Sequence, residues 1–137
     1  MSDITHFITA IPKAELHVHI EGTIEADLLL TIADRNEIAL PYKSAADILA
    51  GQNKGKSDPK QNLDSFIEAL DICRSVLRRG RDYEDITYEY LKRCQIEKIV
   101  YAEVMFDPQQ GLRQGVDLEA QLEALQSGSL AGARDSG

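Results

Sequence analysis

Cysteine is scarce in this chain, which has two in 137 residues, and histidine scarcer still among its last hundred residues, where there is none. Cys73 and Cys94 stand alone, without CxxC or CxxH spacing, which argues against a disulfide framework and a cysteine-built zinc module and leaves two reduced, partly buried thiols. Positive charge is also in deficit: 15 Lys and Arg against 23 Asp and Glu give a net charge of -8. A phosphate backbone or an anionic membrane surface would be repelled on average, so nucleic acid and membrane are not expected partners. No apolar run approaches the roughly 18 to 20 residues that a span requires, and MSDITHFITAIPKAEL has neither a basic n-region nor a sustained apolar h-region. The expected location is the cytoplasm. What is present is the composition of a folded domain, 43% hydrophobic and 28% charged.

The pattern along the chain is that of an α/β protein. After Pro12, apolar Ala14, Leu16, Val18 and Ile20 alternate with Glu15, His17, His19 and Glu21, a period of two that predicts a strand. Gly22 and Thr23 break it, and Leu28, Leu29, Ile32 and Ala33 then recur at helical spacing up to Asn36. Ser44 and Asp47 form a capping-box pattern for a short helix over 44–50, and 52–61, without an apolar residue, predicts an exposed loop. Phe66, Ile67, Leu70, Cys73 and Leu77 share one helical face, and Asp82 is placed to cap a further helix carrying Tyr83, Ile86, Thr87, Tyr90, Leu91 and Cys94. Residues 99–106, IVYAEVMF, predict a strand buried on both faces and stopped by Asp107-Pro108. Strand, helices and strand make a βαβ pattern. A last amphipathic stretch runs from Asp117 to Leu125, and the small, polar residues 126–137 predict a disordered tail. The division expected is therefore one domain portion over 1–125 and a tail over 126–137.

Residues two apart on a strand share a face and lie about 6.5 to 7 Å from one another, so His17, His19 and Glu21 are expected to project together. Two imidazoles so placed suit a zinc-type ion, which can lower the pKa of a bound water from 15.7 to about 7. The bare HxH is open to a second reading as a surface or packed pair, because two donors are fewer than a metal site needs. Glu21 is open to a second reading as a strand-end carboxylate paired with a Lys or Arg, and His6, outside the pattern, reads as a surface residue.

The run PKAELHVHIEG resembles the opening signature of the metal-dependent adenosine and adenine deaminase family, P-K-x-E-L-H-x-H-x-[DE]-G, matched by Pro12, Lys13, Glu15, Leu16, His17, His19, Glu21 and Gly22. The similarity continues through RNEIALPY (35–42), NLDSFIEAL (62–70), SVL (75–77) and DITYEYLKRC with VYAEVMFDPQ (85–109). The resemblance implies a (β/α)8 barrel, with metal at the C-terminal ends of the strands. It implies that His17 and His19 are ligands of a divalent ion, zinc in the first instance, that Glu21 contacts the purine base, and that Gly22 lets the chain pass close to it. The implied reaction is hydrolytic deamination of adenine or adenosine, in which water activated at the metal attacks C6 and ammonia leaves to give hypoxanthine or inosine. Glu in place of Asp at position 21 tilts the substrate toward free adenine.

The same resemblance exposes what this chain lacks. The family's proton-donating Glu sits in an H-A-G-E type motif far downstream, accompanied by a third ligand His, a water-orienting His and a ligand Asp, and none of these follows His19 here. An eight-stranded barrel takes about 250 residues. The expectation is a chain that carries the first two βα units, no catalytic residue of its own, and exposed core faces that favour self-association. Two alternatives stand beside it: a non-catalytic interaction protein that keeps the strand and its His pair, and another amidohydrolase that uses HxH for a different leaving group.

Overall fold

In the computed structural model, which describes residues 3–52 and 59–135, the described residues form two strands, seven helices and a short 3-10 turn. Helix α1 (Asp3–Ala10) leads into β1 (Lys13–His19), and the 3-10 turn Ile20–Thr23 follows. Next come α2 (Ala26–Arg35), α3 (Ala45–Gln52), α4 (Pro59–Ser75) and α5 (Gly80–Glu97). Strand β2 (Ile99–Met105), α6 (Pro108–Arg113) and α7 (Leu118–Asp135) complete the order. The strands pair in parallel, Lys13 beside Ile99 and His19 beside Met105, so the βαβ expectation holds. A parallel pair needs a long crossover, and here it is α2 to α5.

The core lies where α2, α4 and α5 meet the 3-10 turn. Ile20, Leu29, Ile32, Val76, Leu77, Tyr83, Ile86 and Tyr90 are all buried there. Each such side chain contributes about 1.5 to 3 kcal/mol by leaving water. Asp82 ties the same elements together by hydrogen bonds. Its carboxylate pairs with Arg35 and accepts from the Asn36 side chain at 2.7 Å and from the Arg78 and Arg79 backbone N–H groups at 2.7 and 3.1 Å. Asp82 therefore sits at the third residue of α5 as part of a capping box with Arg79, rather than at the cap position itself. Burial is deep enough to push the Cys73 thiol up to about 11 and the Tyr83 hydroxyl up to about 12, the latter with help from the Glu21, Asp82 and Asp107 carboxylates. Both cysteines are free and buried, as their isolation in sequence implies.

Several expectations are corrected. Residues up to Asp135 belong to α7 instead of a disordered tail over 126–137, because the small residues in that stretch are what lets the helix approach α5. A Cβ on Gly128 would come within 2.5 Å of the Glu84 carbonyl oxygen, and one on Gly132 within 2.8 Å of Leu91 Cβ. Strand β2 is not buried on both faces: Val100 is 74% and Tyr101 56% exposed, since the sheet of the described residues has no third strand beside it. On α4 only Leu70 and Cys73 of the predicted face are buried with Leu77 beyond its end, while Phe66 and Ile67 stand outside the core. The expected loop over 52–61 falls mostly on 53–58, outside the described residues, and its last three positions already belong to α4. Among the described residues no helix is long and apolar enough to cross a membrane.

Candidate metal and substrate site

The run Lys13–Gly22 is anchored by α5 before it reaches any site. Lys13 Nζ donates to the Glu97 carbonyl at 2.8 Å, at the C-terminal end of α5, where a cation also answers the helix dipole. Tyr90 donates its hydroxyl proton to Glu15 Oε2 at 2.7 Å, and burial, with this bond second, raises the Tyr90 hydroxyl far above its ordinary range. Lys13 and Glu15 thus hold β1 against the helix, which leaves His17 and His19 to project at the strand's C-terminal end.

The two histidines do come together, though by a different route from simple alternation. The β1–β2 register slips between Glu15 and Val18, and His17 has φ of 63°, in the left-handed region that a side chain enters at a cost of about 1 to 3 kcal/mol. The bulge re-aims the His17 ring, and the two imidazole centroids stand 5.3 Å apart at an interplanar angle of 61°. His17 is exposed, His19 is half-buried, and His19 Nδ1 is a buried nitrogen with no hydrogen-bond partner. An orphaned imidazole nitrogen beside a second ring fits a zinc-type ion. Among the described residues no group of three His, Cys, Asp or Glu could hold a metal, so the two rings alone are fewer than the three protein donors that a catalytic zinc usually takes.

Glu21 departs from the strand-face expectation. The chain leaves the strand at His19, and Glu21 lies in the 3-10 turn, 1% exposed. Among the described residues no Lys or Arg forms an ion pair with it. Its Oε1 accepts the Asp107 backbone N–H at 2.6 Å, and its Oε2 is buried without a partner. Asp107 in turn lies 3.5 Å from Arg74 of α4 through Oδ2 and Nη2. The Glu21 carboxylate, carried by the turn after β1, is thus held by the backbone of Asp107 beyond β2, which α4 holds in turn through Arg74. Sequence reading treated Asp107 only as a strand terminator and did not find Arg74. The signal for Asp107 was its position two residues beyond β2, level with the turn that follows the parallel strand β1. Gly22 adjoins α4, where an added Cβ would meet Leu70 Cδ1 at 3.4 Å.

Residues 12–137 match the sequence model of the adenosine deaminase family. The adenine deaminase of Acinetobacter baylyi is 40% identical over 121 residues, which are 88% of this chain and 35% of the relative. Among solved structures, an adenine deaminase from Arthrobacter aurescens superposes with a TM-score of 0.80 at 33% identity, over 93% of this chain and 37% of that one. An amidohydrolase from Burkholderia ambifaria with bound Zn superposes at 0.79 and 26% identity, over 100% of this chain and 36% of that one. The fold is that of the N-terminal part of such a barrel, and the chain spans a little over a third of the length of the relatives it matches.

Proposed function

This chain belongs to the adenosine deaminase family, and on that premise we propose that it supplies the metal-holding and base-contacting part of a site that deaminates adenine by hydrolysis. The observation that carries the reading is the pairing of the His17 and His19 rings, with the unpartnered Oε2 of Glu21 two residues beyond. His17 and His19 would hold a zinc ion. Such an ion, when bound, supplies chemistry that neutral water lacks by lowering the pKa of a water from 15.7 to about 7. Glu21 would orient the base: its Oε1 is occupied by Asp107, which leaves Oε2 to accept a purine N–H. In the net reaction the water oxygen bonds to C6, the C6–N bond to the amino group breaks, and ammonia leaves with hypoxanthine as product. The groups that move protons to the ring and to the leaving amine are assigned to βα units beyond the two described here. Adenine is preferred to adenosine because relatives at 33 and 40% identity bear the name adenine deaminase and because position 21 is Glu.

The test fuses this chain, in place of the segment it aligns with, to the remainder of the Acinetobacter baylyi relative. Hypoxanthine formation from adenine and stoichiometric zinc are expected, and both are lost in His17→Ala/His19→Ala. A folded fusion that leaves adenine unchanged, or one whose turnover survives the double substitution, overturns the reading. Faster release of ammonia from adenosine than from adenine overturns the choice of substrate. The isolated chain is expected to release none.

A further inference from the structure

A buried carboxylate is costly unless hydrogen bonds and charge answer it. Glu21 is 1% exposed, its Oε1 accepts the Asp107 backbone N–H at 2.6 Å, and its buried Oε2 has no partner. A carboxylate so held can pivot about that bond, so whatever fixes Asp107 also sets the direction of Oε2. Asp107 lies between β2, which ends at Met105, and α6, which begins at Pro108. Asp is favoured in front of a helix because its carboxylate caps the first turn. Here the Asp107 side chain makes no capping bond to α6 and turns instead to Arg74, with Oδ2 3.5 Å from Nη2. The Arg74 side chain is 15% exposed, and its other carboxylate neighbour, Asp71, is 62% exposed at 3.6 Å. Burial first, then the charges of Glu21, Asp82 and Asp107, push the Tyr83 hydroxyl up to about 12 while Arg74 opposes them, which sets one cation among these carboxylates.

We propose that Arg74 is a positioning residue for the substrate base: by holding the Asp107 carboxylate it fixes the Asp107 N–H, and through that N–H the direction in which Glu21 Oε2 meets the base. Each link is a named contact, from Arg74 on α4 to Asp107 beyond β2 and from Asp107 to Glu21 in the turn after β1. An ion pair in open water contributes little, but this one is largely shielded and is made by a carboxylate that forgoes its helix cap. The proposal rests on the base-contacting role given to Glu21 in the preceding section and adds the residue that sets its aim. Arg74 itself touches no substrate. A contact of Glu21 with the base is made on binding and kept through the reaction, so a misaimed Oε2 raises KM for adenine and leaves kcat near its wild-type value. Lysine at position 74 keeps the charge but not the planar fork of arginine, so it restores the effect only in part.

Two readouts test it. In the 137-residue chain, amide hydrogen exchange followed by NMR reads the Asp107 N–H directly. Arg74→Met is expected to speed its exchange about tenfold while the Leu29 and Ile32 amides in the core keep their rates, and Arg74→Lys to restore part of the protection. In the fusion to the remainder of the Acinetobacter baylyi relative, Arg74→Met should raise KM for adenine about tenfold, with kcat and zinc content within about twofold of wild type. Asp107→Asn keeps the backbone N–H and removes the charge, so it should raise KM as much, and the double variant no further, because both act through one link. Asp107 exchange that is unmoved, or that speeds up together with Leu29 and Ile32, overturns the proposal. So does an active fusion in which Arg74→Met leaves KM at its wild-type value, or in which the two substitutions add. A fusion inactive on adenine, with Asp107 exchange selectively faster in Arg74→Met, refutes the function proposed above and upholds the hold of Arg74 on Glu21.

Discussion

Gly128→Ala discriminates between the packed α7 and the disordered tail that composition suggests, because the two states predict opposite signs. In a helix open to water, or in a marginal one, alanine stabilises by about 1 kcal/mol relative to glycine. Against α5 the added methyl meets the Glu84 carbonyl oxygen at 2.5 Å and Thr87 Cβ at 2.9 Å, both far inside normal contact. A backbone carbonyl within α5 cannot swing aside as the end of a flexible side chain can, so the two helices must separate. Overpacking of this kind costs about 1 to 3 kcal/mol, and at a backbone obstacle the upper part of that range applies. The net expectation is a loss of about 1 to 2 kcal/mol. With a urea slope of about 1 to 3 kcal/mol/M, the unfolding midpoint should fall by about 0.5 to 1 M. Equilibrium urea unfolding followed by circular dichroism reads this directly. A midpoint that is unchanged or raised would mean that α7 does not lie on α5 and would refute the packing argument.

Other parts of the fold give equally direct tests. Asp82→Ala removes the acceptor of two backbone N–H groups, the Asn36 amide and Arg35; the guanidinium keeps Asp85 at 2.6 Å, so the loss is mainly the stranded N–H groups, about 3 kcal/mol by urea unfolding. An Asp82→Ala chain within about 0.5 kcal/mol of wild type would show that the hub is not formed. Tyr83 ionises near 10 when unfolded and near 12 when folded, so below pH 10 its contribution is complete and stability falls as pH rises from 10 toward 12. The fall should reach about 3 kcal/mol at about 1.4 kcal/mol per pH unit, and Tyr83→Phe should flatten it; an alkaline stability profile that Tyr83→Phe leaves unaltered would contradict the burial of this hydroxyl.

The elements with strong periodicity were legible, and those governed by neighbours were not. Alternation over Ala14–Ile20 identified β1, although Ala14 and Leu16 of its apolar face are exposed and Lys13 and Glu15 are half-buried, whereas the apolar spacing over Tyr83–Cys94 identified α5 because that face packs on the core. The period-two reading failed at Glu21, where continuing it by two residues ignored that Gly22 and Thr23 already signalled a turn, and the chain coils at Ile20. The bulge at His17 leaves no mark in side-chain order, since any residue type can occupy a strained position that its surroundings impose. The small residues of 126–135 were read by composition as unable to form a core, but Gly128 and Gly132 are four apart, on one face of α7, with Ala124 one turn before. Spacing rather than composition was the informative quantity there. For β2 an apolar run was equated with burial, a step that holds only when neighbouring strands are in place.

The backbone at His17 bears on how such a site is assembled. A left-handed residue inside a strand is unfavourable by itself and persists only where the structure around it fixes it. Here the fixing groups lie on either side: Glu15 is held by Tyr90, Lys13 by the end of α5, and the 3-10 turn is anchored by the buried Ile20 and by Glu21 on Asp107. The side-chain pair is thus supported by the crossover helix and the second strand. On the proposed reading, rings so placed would lower the conformational entropy lost when an ion and its remaining ligands arrive, the general benefit of a preorganised site. The run from Lys13 to Gly22 and the residues that hold it, Arg74 through Asp107, Tyr90, Glu97 and Asp107, thus form one structural unit.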